Sequence, residues 1–168
     1  MSLSLYDVSV PPFLRAFSAM SAFLEKGRAF ADENGLPHAD LLEARLIDDM
    51  APLIAQVQRA SDSAKFTVVR VGQIENIAIP DEETSFADLQ ERIAKTVAFL
   101  QAAPTSCMDG REDAEVILTT PRGSVPFTGK SYVLGFALPN FYFHMTTAYA
   151  LLRQKGVPVG KLDFLGGL

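Results

Sequence analysis

The chain has 168 residues, of which 48% are apolar and 21% are charged, and its formal net charge at pH 7 is -5. This balance is typical of a soluble globular protein, and no apolar run approaches the ~20 residues of a membrane-spanning helix. An acidic chain without a basic cluster also argues against nucleic acid or an anionic membrane as a partner. The single cysteine, Cys107, and an N-terminus without a leader pattern predict a cytoplasmic protein, with one domain over residues 1–168.

The first predicted element is a helix that carries Pro11-Pro12 in its first turn, where prolines are tolerated. It should end near Asn34-Gly35, a favoured helix stop. Apolar residues at helical spacing follow the prolines and predict the buried face: Phe13, Phe17, Met20 and Leu24.

The second predicted helix covers residues 40–72. Pro52 lies inside it, removes a backbone donor and clashes with the preceding turn, so we expect one helix with a kink near Asp48 rather than two helices. Its predicted core stripe recurs every three or four residues: Leu42, Leu46, Met50, Leu53, Val57, Ala60 and Ala64.

An acidic loop over residues 76–84 precedes a third helix that Ser85 can cap and that should stop before Pro104. Two branched apolar runs, 116–120 and 124–127, flank the turn residues 121–123 and predict a β-hairpin. A fourth helix covers roughly residues 132–155, with Pro139 inside it. The elements together predict an all-α fold, a four-helix bundle with a small β-hairpin before the last helix.

A titratable ring in the last helix is the main candidate for a functional site. His144 lies among apolar residues, so it is either a neutral core imidazole that hydrogen-bonds to another helix, or a metal ligand or general base. Asn140 lies one turn earlier on the same face; it can share a target with His144 or act as a helix cap after Pro139.

A second set of candidates lies on the predicted second helix. Asp49, Gln56 and Ser63 share one line at seven-residue spacing, beside the core stripe. Asp49 can face the core as a partner of His144, or it can pair with Arg45 four residues earlier. Gln56, with Asn140, is a candidate for positioning a ligand.

Two sets of motifs resemble a known family. The last helix and the residues after it carry one set, and the predicted second helix carries the other. Together they are similar to the bacterial domain-of-unknown-function family numbered nineteen ninety-three, over nearly the whole chain. The motifs are Pro139 to His144, Thr147-Ala148-Tyr149, Leu152-Arg153 and Gly160 to Gly166, with Arg45-Leu46, Asp49-Met50, Pro52-Leu53, Gln56-Val57-Gln58 and Ser61-Asp62.

That family belongs to the DinB/YfiT-like superfamily of four-helix bundles. Its members are often dimeric, so the resemblance implies a homodimer, and its better-known members bind a divalent metal through three histidines. For this chain no cofactor is firmly implied; a divalent metal, zinc or nickel, is an option with His144 and Asp49 as its ligands. His144 matches the second histidine of the superfamily's His-x-x-x-His pair, whereas Asn140 stands at the first position. The second helix offers Asp49 in place of a histidine, and amide ligands hold such metals weakly.

Two functions follow as hypotheses. The first is a bundle with a lapsed metal site and a structural or small-ligand-binding role. The second is a metal-dependent hydrolase or thiol-dependent transferase that uses His144, with a pKa near neutrality, and Asp49. Whether the protein is an enzyme, and which molecule it binds, stay open at this point.

Overall fold

The computed structural model describes residues 3–167. Four long helical stretches form the bundle, and a two-stranded antiparallel hairpin precedes the last of them, so the predicted fold class is confirmed. The elements in chain order are α1 (Leu5–Glu33), α2 (Ala39–Leu42), α3 (Leu53–Arg70), α4 (Phe86–Ala102), β1 (Glu115–Thr120), β2 (Gly123–Thr128), α5 (Gly129–Tyr132), a π-helical segment (Val133–Ala137), α6 (Leu138–Gln154) and α7 (Lys161–Leu165).

Helix α1 begins earlier than its prolines indicate. Ser4 and Asp7 form a capping box, which satisfies free backbone donors at the start of the helix. Pro11 and Pro12 therefore lie inside the helix, not in its first turn. Beyond them the predicted apolar face is fully buried, because Phe13, Phe17, Met20 and Leu24 are all 0% exposed.

The predicted second helix is in fact two helices, α2 and α3, and the single kinked helix was wrong. Pro52 adopts an extended conformation (φ -71°, ψ 174°) as the N-cap of α3, since its ring opposes continuation from the preceding turn. The connection is closed by hydrogen bonds from Leu53 N to Ala44 O and from Arg45 Nη1 to Met50 O. Leu46, predicted in the core stripe, is 42% exposed.

Packing between the helices sets the order around the bundle. Helix α3 packs against α6 on one side and α4 on the other, and α1 packs against α4 and α6. Ser85 caps α4 as predicted, through a hydrogen bond from Asp88 N to its Oγ of 3.1 Å. The apolar faces of α1, α3, α4 and α6 meet in the core. A buried hydrogen bond of 2.6 Å between the hydroxyls of Ser61 and Thr96 also joins α3 to α4.

The last helical stretch runs without interruption from α5 through the π-helical segment to α6. Pro139 follows the π-helical segment. It has no N–H to donate, and in a regular helix its ring clashes with the carbonyl one turn earlier, which gives a local reason for the wider turn. None of the helices within residues 3–167 has the length and apolar character needed to cross a membrane.

Candidate functional site

A cavity of about 260 Å³ lies between α3 and the last helical stretch, and we call it the α3–α6 cavity. One wall is a single face of α3, and the opposite wall comes from α5, the π-helical segment and α6. Leu118 of β1 contributes a further side. The residues from α3 are Arg59, Asp62, Ser63, Phe66 and Arg70, and those from the last stretch are Tyr132, Phe136, Asn140 and His144.

Three hydrogen bonds join α3 to the last helical stretch beside and within this cavity. On α3 their members recur at seven-residue intervals, which is close to two helical turns, so they share one face. The two helical stretches run in opposite directions. The residue numbers of the partners on the last stretch therefore decrease as those on α3 increase. The bonds are Gln56 Oε1 to His144 Nδ1 at 2.8 Å, Ser63 Oγ to Asn140 Nδ2 at 2.6 Å, and Arg70 Nη1 to Tyr132 Oη at 2.7 Å.

The π-helical segment places its neighbours in this arrangement. On a regular helix, Tyr132 would point about 80° away from Asn140, which is eight residues later. A π-helix rotates less per residue because its hydrogen bonds span five residues, and this reduces the offset. Tyr132 and Phe136 consequently line the same cavity as Asn140 and His144.

The contacts of Gln56 determine the tautomer of His144. The Gln56 amide Nε2 donates to the carbonyl of Ala51 at 2.8 Å, so its Oε1 faces the ring and can only accept. His144 therefore carries its proton on Nδ1 and donates it to Gln56. The other ring nitrogen, Nε2, has a lone pair and no protein hydrogen bond within residues 3–167.

His144 is a neutral ring at physiological pH. Burial, and after it the positive charge of Arg59, lowers the pKa of His144 to about 4. The side chain is only 7% exposed, in agreement with the dominant effect of burial. The expected titration near neutrality was therefore wrong, and the ring acts at pH 7 as a hydrogen-bonding group.

Asn140 is oriented by Ser63. The Ser63 hydroxyl donates to the carbonyl of Arg59 at 2.8 Å and accepts from Asn140 Nδ2. The carbonyl oxygen of Asn140 has no protein donor among the described residues. Asn140 lies within a continuous helical stretch and does not cap the helix. Of the two alternatives, the structure therefore favours the one in which Asn140 and His144 lie on the same helix face.

Asp49 lies elsewhere. It is exposed in the connection between α2 and α3, because Pro52 ends the helix that the sequence predicts there. It does not line the α3–α6 cavity, whereas Gln56, the next residue on the predicted line, contacts His144. The structure thus brings His144 together with Gln56, but Asp49 is on the loop.

The donors around His144 do not suit zinc or nickel. Within residues 3–167 no group of three or more His, Cys, Asp or Glu side chains is placed to hold a metal ion. Beside the ring lie the amides of Gln56 and Asn140, the Ser63 hydroxyl and the cation Arg59, which repels a divalent metal. The one carboxylate of the lining, Asp62, is already paired with Lys65 at 3.3 Å, and zinc and nickel prefer imidazole and thiolate.

Sequence reasoning missed the far end of the α3–α6 cavity, which contains Phe66, Arg70 and Tyr132. One signal was present. Arg70 continues the seven-residue line of Gln56 and Ser63 by one more step. No comparable signal exists for Tyr132, because its position depends on the π-helical segment, which ordinary helical spacing does not indicate.

Comparisons with known proteins agree with this architecture. The model of the family described as "Domain of unknown function (DUF1993)" matches residues 5–165. The chain is also similar to a DinB family member protein from Shewanella denitrificans of known crystal structure, with 37% identity and a TM-score of 0.89 over 98% of this chain and 93% of that one. No curated protein matches the sequence.

Proposed function

The chain belongs to the DUF1993 family and has a DinB-like fold, and from this premise we propose that it binds a small organic molecule in the α3–α6 cavity without a resident metal. The observation that carries the proposal is the state of His144. Its ring is neutral, its Nδ1 is occupied by Gln56, and it borders a cavity whose other polar groups are an amide, hydroxyls, cations and one carboxylate, Asp62, which is paired with Lys65. Such a lining offers orientation and hydrogen bonding to an organic ligand.

The alternative, a metal-dependent hydrolase or thiol-dependent transferase, needs a different arrangement. It requires Asp49 beside His144 as a ligand or orienting carboxylate. Asp49 is exposed on the loop before α3, and an amide, Gln56, occupies the position next to the ring. We therefore prefer ligand binding by the existing polar groups.

Metal analysis is the first test. Elemental analysis of protein purified without an affinity tag should find less than one equivalent of any transition metal, and zinc, nickel or manganese should leave the melting temperature unchanged. About one equivalent of one metal, lost in His144→Ala, would contradict the proposal and favour the enzyme hypothesis.

Ligand binding is tested with fluorinated fragments observed by ¹⁹F NMR. Fragments that bind the wild type should lose binding in Phe136→Trp, because the larger ring fills the α3–α6 cavity. Phe143→Trp is the matched control, since Phe143 is 54% exposed on the same helical stretch and lies outside the cavity. Equal loss in both variants, or no fragment binding to the wild type, would count against the cavity as a binding site.

The homodimer implied by the family resemblance stays a prediction. Sedimentation equilibrium of the full chain at several concentrations tests it, and a single species with a monomer mass would contradict it.

A further inference from the structure

The guanidinium of Arg70 is held in a fixed position at one end of the α3–α6 cavity. Its central carbon lies 4.4 Å from the ring centroid of Phe66 and 5.8 Å from that of Tyr132. It also donates a hydrogen bond of 2.7 Å to Tyr132 Oη. Stacking together with a directed hydrogen bond limits the rotamers of a side chain that is otherwise very flexible.

Most of the hydrogen-bonding capacity of Arg70 is free. A guanidinium has five N–H donors, and the bond to Tyr132 uses one of them. The ion pairs found within residues 3–167 do not include Arg70. An immobilised guanidinium without a carboxylate partner is prepared to receive the two oxygens of an external carboxylate.

The charges around the cavity also favour an anion. Arg59 supplies a second cation near His144. The one carboxylate among the described lining residues, Asp62, is 3.3 Å from Lys65, which balances its charge, and 3.3 Å from Arg92, which also pairs with Glu83. The cavity is thus cationic in a chain whose net charge is -5.

The rest of the lining indicates the body of the ligand. Phe136 and Leu118 present aromatic and apolar surface to the cavity, whereas the Phe66 ring is already covered by Arg70 at 4.4 Å and by Lys65 Nζ at 4.5 Å. The volume, about 260 Å³, lies just below the roughly 300–1,000 Å³ of usual ligand pockets. A single small ring with a short side chain suits this space better than a nucleotide does.

We infer that the α3–α6 cavity binds a small aromatic carboxylate, with its carboxylate on Arg70 and its ring against Phe136 and Leu118. This inference rests on the proposed function and specifies its ligand class. A carboxylate matches one planar guanidinium in two parallel hydrogen bonds, and the neutral His144 and Asn140 at the other end add polar contacts without a requirement for charge.

Isothermal titration with 3-phenylpropionate and 3-phenylpropanamide tests the inference, because the two probes have the same shape and differ in charge. The acid should bind at least about tenfold more tightly than the amide, the ratio expected for a hydrogen bond to a charged group. Arg70→Gln should abolish the preference for the acid and leave amide binding unchanged. Arg153 is an exposed arginine at the end of α6, and Arg153→Gln should keep the preference.

The dependence of binding on ionic strength is a second readout that needs no variant. Raised ionic strength should weaken binding of the acid to the wild type and leave binding of the amide unchanged. Equal binding of acid and amide would overturn the inference and leave the proposed function standing, as would a preference that survives Arg70→Gln. Binding of inorganic phosphate more tightly than the acid would also overturn it. Binding of neither organic probe would overturn the inference as well, whereas the proposed function is decided separately by the ¹⁹F fragment experiment.

Discussion

At the scale of single residues, His144 shows how a histidine is kept neutral inside a protein. Its Nδ1–H has a partner in Gln56, and Gln56 is itself fixed by the carbonyl of Ala51. Burial and Arg59 oppose the charged form of the ring. Protonation at Nε2 would place a positive charge in a poorly hydrated environment beside Arg59. The folded protein therefore resists protonation of this ring, which makes folding less favourable in acid.

The low pKa of His144 predicts a loss of stability in weak acid. Between pH 6.5 and about 4 the unfolded chain binds a proton that the folded one does not, so the contribution is complete above pH 6.5 and decreases as the pH falls toward 4. The contribution of His144 to the free energy of unfolding is about 3 kcal/mol smaller near pH 4 than at neutral pH, by the usual conversion of a pKa shift. Urea denaturation at several pH values gives the free energy of unfolding at each pH. Between pH 6.5 and 4 this free energy should change less steeply with pH in His144→Gln than in the wild type.

His38→Gln is the control for that experiment. His38 lies outside the α3–α6 cavity. Its side chain is partly exposed, and its Nε2 is 2.7 Å from Oδ1 of Asp32. Equal pH slopes for the wild type and His144→Gln would show that the ring does not control the acid response.

At the scale of elements, the last helical stretch depends on local backbone requirements that differ between its glycines. Gly129 begins α5, and a Cβ there would overlap the backbone carbonyl of Arg111. Gly135 lies in the π-helical segment, and a Cβ there would meet no atom within 4 Å. The two positions belong to one continuous helix but have opposite demands on side-chain volume.

These glycines should respond to alanine in opposite directions. Gly135→Ala should raise the free energy of unfolding by about 0.5–1 kcal/mol, because alanine lowers the entropy of the unfolded chain in open space. Gly129→Ala should lower it by more than that, since backbone at Arg111 must move. Chemical denaturation of both variants measures the effect, and a stabilised Gly129→Ala protein would contradict the assigned close approach.

How far the sequence predicts these elements depends on whether their cause is local. The apolar face of α1, the cap at Ser85 and the hairpin were predicted, because periodicity and turn chemistry act within a few residues. The α2–α3 break was missed, although Pro52 signalled a disturbance, since periodicity alone cannot distinguish a kink from a stop. The pairing of His144 with Gln56 depends on which helices are neighbours, which no local pattern contains.

At the scale of the whole molecule, a buried ionic cluster around Arg92 connects α4, α3 and the acidic loop. The Arg92 side chain is 0% exposed and lies 2.9 Å from Glu83, itself 8% exposed. Burial alone would raise the pKa of Glu83, but hydrogen bonds from Gln58 and Arg92 outweigh it and lower that pKa. The cluster fixes residues that have no helix or strand of their own.

Removal of the central cation should be severe. Arg92→Met leaves the buried Glu83 without its ion-pair partner, so we expect a loss of roughly 3–5 kcal/mol in the free energy of unfolding. Lys95→Met on the same helix breaks the exposed Lys95–Glu91 pair and should cost less than about 1 kcal/mol. Denaturation curves of the two variants provide the comparison, and similar losses would mean that burial of the cluster has little energetic effect.

The π-helical segment has a consequence for descent within the family. Because it amounts to one additional residue within an α-helix, loss of a single codon between 133 and 137 would convert it to regular helix. Residues N-terminal to that point would rotate, whereas His144 and Asn140 would keep their places. Relatives that lack this extra residue would keep the histidine end of the cavity and have a different opposite end, so one small deletion would change ligand preference without a substitution at His144 or Asn140.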